Sequence, residues 1–87
     1  MELSISEKEL LRKYSGNIEC AKLRKYYTAV KSTDMLQLQN IYKRHVNSSW
    51  TVNVWCGHCC LAALQGLYDL SREVMGYTAT SPIINNL

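Results

Sequence analysis

The residues with the most chemical potential in this 87-residue chain lie in one short run, Cys56-Gly57-His58-Cys59-Cys60. Cys56 and Cys59 are separated by two residues, a spacing at which two thiols can take part in thiol–disulfide exchange or converge on one metal ion. If a helix begins here, the positive end of its dipole stabilises a thiolate, and the intervening histidine adds to that effect. Reduced cysteines also pack as small apolar residues, and this packing interpretation leads. The run therefore leaves three interpretations open.

The tetrapeptide Cys56-Gly57-His58-Cys59 resembles the active-site motif of protein disulfide isomerases. The resemblance implies a thiol–disulfide oxidoreductase, but it is limited to these four residues. A thioredoxin-like enzyme has a βαβ unit before the motif and a ββα unit after it, whereas predicted helices precede the motif here and too few residues follow it. The only proline, Pro82, lies in the wrong place to be the cis-proline that faces the cysteines. Thiol–disulfide exchange is therefore the third functional hypothesis.

A zinc site is the second interpretation of the cysteines. Cys56 and Cys59 have the spacing of half a tetrahedral zinc site, and no second Cys-x-x-Cys supplies the other half. Cys20 and His45 lie at predicted helix ends that can meet the start of the last helix, so these four residues are the candidate zinc ligands. In a variant, Cys56 and Cys59 from two protomers complete a four-sulfur site. Zinc would stabilise a core this small.

The spacing of apolar residues predicts an all-α fold. A capping box from Ser6 to Glu9 marks the first helix start, and a 3.6-residue apolar period marks the later helices. Gly66, inside the last predicted helix, indicates close helix packing. The sequence predicts four helices and one extended arm, near residues 7–14, 18–31, 34–46 and 59–75, with the arm at 50–55.

Composition predicts one globular domain over residues 1–87, with an aperiodic tail at 77–87. The chain is 47% apolar and 20% charged, which excludes a disordered or collagenous chain. Its apolar runs are shorter than the ~18 residues of a membrane span. The first residues lack the basic and apolar regions of a secretory signal. We therefore expect reduced cysteines and a location in the cytoplasm of a bacterial host or in a virion, with no membrane and no evident small-molecule substrate.

The arm offers an interaction surface. Trp50, Val52 and Val54 alternate with polar residues, and Trp55 follows directly. Indoles are enriched at protein interfaces because they bury a large area. The arm is therefore predicted to bind a protein partner or a second copy of the chain. The alternative is that both tryptophans cover the end of the helical bundle.

Basic residues favour a second hypothesis, nucleic-acid binding. The net charge is +3, and Lys22, Arg24 and Lys25 cluster on the predicted second helix. Such residues can neutralise phosphates. They spread around the polar side of the helix, however, and no recognition helix stands out. A solvated face is the simpler interpretation.

The chain also resembles a type of small open reading frame carried by tailed bacteriophages, notably those of gut bacteria. The resemblance covers the helix Leu36-Gln37-Leu38-Gln39-Asn40-Ile41-Tyr42-Lys43-Arg44, the run Cys56 to Leu61, and Leu67-Tyr68-Asp69-Leu70. It implies an accessory or virion-associated helical protein and gives no catalytic residues. The leading hypothesis is thus a non-enzymatic interaction or structural protein, and enzymatic activity stays open.

Overall fold

The computed structural model describes residues 3–76 and confirms an all-α protein. The predicted tail at 77–87 lies outside the described residues. Within residues 3–76 the structure has five helices where the sequence predicts four. They are α1 (Ile5–Lys13), α2 (Ser15–Arg24), α3 (Ser32–His45), α4 (Gly57–Gly66) and α5 (Tyr68–Val74).

Helix α1 begins two residues earlier than predicted. The side chain of Ser4 accepts the N–H of Glu7, and the Glu7 carboxylate accepts the N–H of Ser4 at 2.8 Å, which completes a capping box. The sequence offers this box in two registers, because Ser6 and Glu9 have the same spacing. The capping box predicted at Ser6 and Glu9 is therefore wrong: the helix uses the pair two residues earlier, Ser4 and Glu7.

Helix α2 is shorter than the predicted helix at 18–31. Lys25 has a φ of 66° and a left-handed conformation, which ends α2 at Arg24. The buried residues of this helix are Ile18 and Ala21, whereas Leu23 is 59% exposed. The prediction that the second helix continues to residue 31 is thus wrong, since the chain leaves the helix at Lys25.

The predicted last helix, 59–75, is two helices. Leu67 separates α4 from α5, and its side chain is fully buried. Just before it, Gly66 faces Tyr42 of α3 so closely that a β-carbon would collide with the ring. The prediction of close packing at Gly66 is confirmed.

The core lies where α4 packs against α2 and α3, and where α5 packs against α1 and α2. Among the described residues, no helix is long and apolar enough to cross a bilayer. The largest apolar side chains that are fully buried are Leu11, Ile18, Leu38, Leu64 and Leu67.

Candidate functional site: a dithiol at the start of helix α4

Cys56 and Cys59 form a pair at the N-terminus of α4. Cys56 is the N-cap residue, and its sulfur accepts the backbone N–H of Cys59 at 3.1 Å. The two α-carbons are 5.1 Å apart and the sulfurs are joined in a disulfide. The expectation that all four cysteines are reduced is therefore corrected for this pair, whereas Cys20 and Cys60 are free thiols.

The residues around the pair differ sharply in exposure. Trp55, directly before the pair, is 86% exposed, and His58, between the two cysteines, is also exposed. Cys60 is buried, and its thiol donates to the carbonyl of Val54 at 3.5 Å. The Cys56–Cys59 pair is thus partly buried next to exposed side chains, and Cys60 belongs to the core.

The arm at 50–55 forms no strand within the described part of the chain and ends in a turn at residues 54–55. The predicted alternation is present. Trp50, Val52 and Val54 are partly buried, whereas the residues between and after them, Thr51, Asn53 and Trp55, are exposed. A turn replaces the end of the strand because the Asn53 side chain accepts the N–H of Trp55 at 3.0 Å.

A buried glutamine holds this arm in place. Gln39 of α3 is fully buried; its amide oxygen accepts the N–H of Asn53 at 2.8 Å, and its amide nitrogen donates to the Asn53 carbonyl at 3.0 Å. A neighbouring strand would satisfy the backbone in the same way. No sequence motif indicates this role for Gln39, although the residue lies four positions after Met35, at a core position of the α3 period.

Trp50 also belongs to the domain. Its indole N–H donates to the Gln39 amide oxygen at 3.0 Å, and its ring packs edge-on against Tyr42 with the ring centres 4.9 Å apart. Of the two tryptophans in the predicted interaction surface, only Trp55 points freely into solvent.

The four predicted zinc ligands do not form one cluster. Among residues 3–76, no group of three or more histidine, cysteine or acidic side chains is placed to hold a metal ion. Cys20 lies on α2, and His45, at the end of α3, faces Glu7 of α1. Cys56 and Cys59 can supply two sulfurs when reduced, so zinc binding stays a prediction.

His45 is nearly buried. Its Nε2 lies 3.8 Å from a Glu7 carboxylate oxygen, and within the described chain no hydrogen-bond partner reaches that nitrogen. Glu7 forms its close ion pair with Arg44 instead. Burial, followed by repulsion from Arg44, lowers the pKa of His45. The nearby Glu7 charge opposes this direction, but it is already neutralised by Arg44, so burial dominates.

A tyrosine contributes to the buried side of the site. Burial and the neighbouring Cys60 thiol raise the pKa of Tyr27, which follows α2. The neutral form of Tyr27 is therefore favoured beside the buried Cys60.

The basic residues of the nucleic-acid hypothesis lie elsewhere. Lys22, Arg24 and Lys25 are all exposed, and Lys25 lies beyond the end of α2. They do not form a single helix face, and phosphate binding stays a prediction.

Comparisons of the chain with protein-family models, curated proteins and solved structures give no match. The phage resemblance therefore stays a prediction. Function has to be argued from the site alone.

Proposed function

We propose that the protein carries out thiol–disulfide exchange through Cys56 and Cys59. One observation carries the proposal: the Cys56 sulfur accepts a backbone N–H at the N-terminus of α4 while lying within bonding reach of Cys59. The same N–H and the helix dipole stabilise a thiolate, which is the nucleophile in exchange. The pair is only partly buried and lies beside the exposed Trp55 and His58, so a partner disulfide can reach it.

The chemistry needs a partner that carries a disulfide. In the reduced protein, the Cys56 thiolate attacks one partner sulfur, so a mixed disulfide forms and the other partner sulfur leaves as a thiolate that takes up a proton. The Cys59 thiolate then attacks the Cys56 sulfur. The Cys56–Cys59 bond forms, the second partner sulfur leaves, and two electrons have passed to the partner. A partner dithiol reverses the sequence and reduces the pair.

Cys56 is assigned the first attack because its sulfur accepts the N–H bond, and Cys59 resolves the mixed disulfide. The proposal concerns this chemistry only. The tetrapeptide is similar to that of protein disulfide isomerases. Residues 3–76 contain helices and no strand, however, so the described part of the chain does not have a thioredoxin-like fold, and the fold lends the proposal no support.

The test is reduction of insulin disulfides by the protein in the presence of dithiothreitol. We expect turnover above the rate with dithiothreitol alone and loss of turnover in Cys56→Ser. With reduced Cys59→Ser from which dithiothreitol has been removed, we expect a trapped mixed disulfide with insulin. Cys20→Ser is the matched control, because Cys20 is a free thiol on α2, and it should retain activity. Wild-type protein that gives no turnover and forms no mixed disulfide overturns the proposal.

Protein binding through Trp55 is the second candidate function. An 86% exposed indole beside the cysteine pair supports it, because such side chains form the centres of binding surfaces. A virion-associated or accessory role fits this candidate. We expect Trp55→Ala to abolish self-association or binding to a co-encoded protein. A monomer that binds no co-encoded protein contradicts it.

A further inference from the structure

We propose that Gln39 is the positioning residue of the dithiol site. This role rests on the proposed exchange at Cys56 and Cys59, and it names the residue that sets the position of Cys56 without touching a substrate. Gln39 lies on α3, whereas the pair lies at the start of α4.

The Gln39 side chain contacts the chain on both sides of the pair. Before the pair, it binds both backbone groups of Asn53. After the pair, its amide nitrogen also donates to the Cys60 sulfur at 3.4 Å. One amide therefore connects the segment that leads into the site with the first turn of α4.

A short series of hydrogen bonds continues from Gln39 to Cys56. The Asn53 backbone is fixed by Gln39, and the Asn53 side chain accepts the N–H of Trp55 at 3.0 Å. Trp55 is joined to Cys56 by the next peptide bond. Fixing Asn53 therefore limits where the Cys56 sulfur can lie relative to the N–H of Cys59, and that N–H is the group that stabilises a thiolate.

The burial of Gln39 makes its role sensitive to substitution. Its amide is fully buried. An apolar side chain of similar length leaves both Asn53 backbone groups and the indole N–H of Trp50 without this partner. Polar groups that lose a partner move to find another, and here the movement displaces the arm that leads to Cys56.

The test measures Cys56 reactivity in the full chain carrying Cys20→Ser and Cys59→Ser, which leaves Cys56 and the buried Cys60 as thiols. The probe is iodoacetamide, and the readout is the alkylation rate across pH. With Gln39 present, we expect the midpoint of the profile below the ordinary thiol value of about 8.5. Gln39→Met should move the midpoint towards that value and slow alkylation at pH 7 about threefold to tenfold.

Gln65→Met is the matched control. Gln65 is a partly buried glutamine of α4 whose amide donates to the Ala21 carbonyl at 2.8 Å, so its loss removes a hydrogen bond between helices without touching the arm. It should leave the midpoint unchanged. An equal shift in both variants, or a folded Gln39→Met with the wild-type midpoint, overturns the proposal.

A second variant covers the case in which Gln39→Met does not fold. Trp50→Phe removes only the indole donor to Gln39 and keeps a ring against Tyr42. It should shift the midpoint in the same direction by a smaller amount, and an unchanged midpoint overturns the positioning role. Insulin reduction is scored separately. A midpoint shift in a protein without exchange activity refutes the proposed function and leaves the role of Gln39 intact.

Discussion

The ring of Tyr42 occupies the space in which a side chain at Gly66 would begin. A β-carbon built on Gly66 would overlap the edge of that ring. Tyr42 lies on α3 and Gly66 is the last residue of α4, so the absence of a side chain at Gly66 sets how closely these two helices approach. The ring of Tyr42 also packs against the ring of Trp50. Because Gly66 sets the position of Tyr42, it also affects the arm that begins at Trp50 and leads to the cysteines.

We predict that Gly66→Ala destabilises the protein. Alanine favours the helix by about 1 kcal/mol over glycine, but overpacking against a ring in the core costs about 1–3 kcal/mol. The expected net loss in the free energy of unfolding is up to about 2 kcal/mol, measured by urea denaturation.

Gly16→Ala is the control for that substitution. A β-carbon at Gly16, near the start of α2, meets nothing within 4 Å. It should leave stability unchanged or raise it by up to about 1 kcal/mol. A stabilised Gly66→Ala would show that Tyr42 can move away at little cost.

The sequence predicts the packing at Gly66 and fails at the helix breaks for a physical reason. A glycine inside a helix with an apolar period indicates that another element packs closely against it, even when the sequence does not show which element that is. By contrast, Lys25 ends α2 in a left-handed conformation that few lysines adopt. Gly66 directly precedes the break at Leu67, but apolar residues at helical spacing continue beyond it, so the sequence predicts one uninterrupted helix there. Tertiary packing decides both positions, and local spacing carries no record of it.

We predict that only one of the two tryptophans contributes substantially to the free energy of unfolding. Trp50→Ala removes a ring packed on Tyr42 and a hydrogen bond to Gln39, and it should lower the free energy of unfolding by about 2 kcal/mol. Trp55→Ala changes an exposed side chain and should stay within about 0.5 kcal/mol of wild type. Urea denaturation measures both. Equal losses would mean that Trp55 also packs on the domain.

The candidate site is only partly readable from the sequence. The spacing of Cys56 and Cys59 predicts a pair, and the predicted start of the last helix places Cys56 near its N-terminus. The role of Gln39 depends on Asn53, which is 14 residues away along the chain. A glutamine at a core position indicates a buried hydrogen-bond network, but only the fold identifies its partners.

We predict that reduction of the Cys56–Cys59 bond leaves the helices folded. Closing such a short loop constrains the unfolded chain little, and the chain-entropy relation gives about 2 kcal/mol for four residues. Dithiothreitol should therefore lower the free energy of unfolding by about 2 kcal/mol or less while the helical circular dichroism persists. The double variant Cys56→Ser with Cys59→Ser should be insensitive to the reductant. Unfolding on reduction would identify the bond as structural.

The reduced wild-type protein can also be used to test whether the chain binds zinc. If reduced Cys56 and Cys59 bind zinc with Cys20 and His45, the protein should carry about one equivalent per chain, and a chelator should lower its melting temperature. A four-sulfur site shared by two protomers gives half that content. Metal-free protein with an unchanged melting temperature would refute the zinc prediction.

We predict that stability falls as the pH is lowered through the titration of His45. Burial lowers the pKa of His45 in the folded protein, whereas in the unfolded chain the imidazole titrates near its ordinary pKa of about 6.5. Below that pH the unfolded chain binds more protons, so the free energy of unfolding decreases until the folded pKa is reached. The pKa of Asp34 is lowered by a hydrogen bond from Tyr14, so its contribution is lost only at more acidic pH, below its ordinary pKa of 3.8.

Urea denaturation at about pH 7.5 and pH 5 measures this dependence, because Asp34 stays ionised in that window. His45→Gln should remove most of the loss in stability between the two pH values, since glutamine fills the site without taking up a proton. His58→Gln is the control: His58 is exposed, and its replacement should leave the dependence as in wild type. If wild-type protein instead gains stability at pH 5, the Glu7 carboxylate outweighs burial and His45 is folded in its charged form.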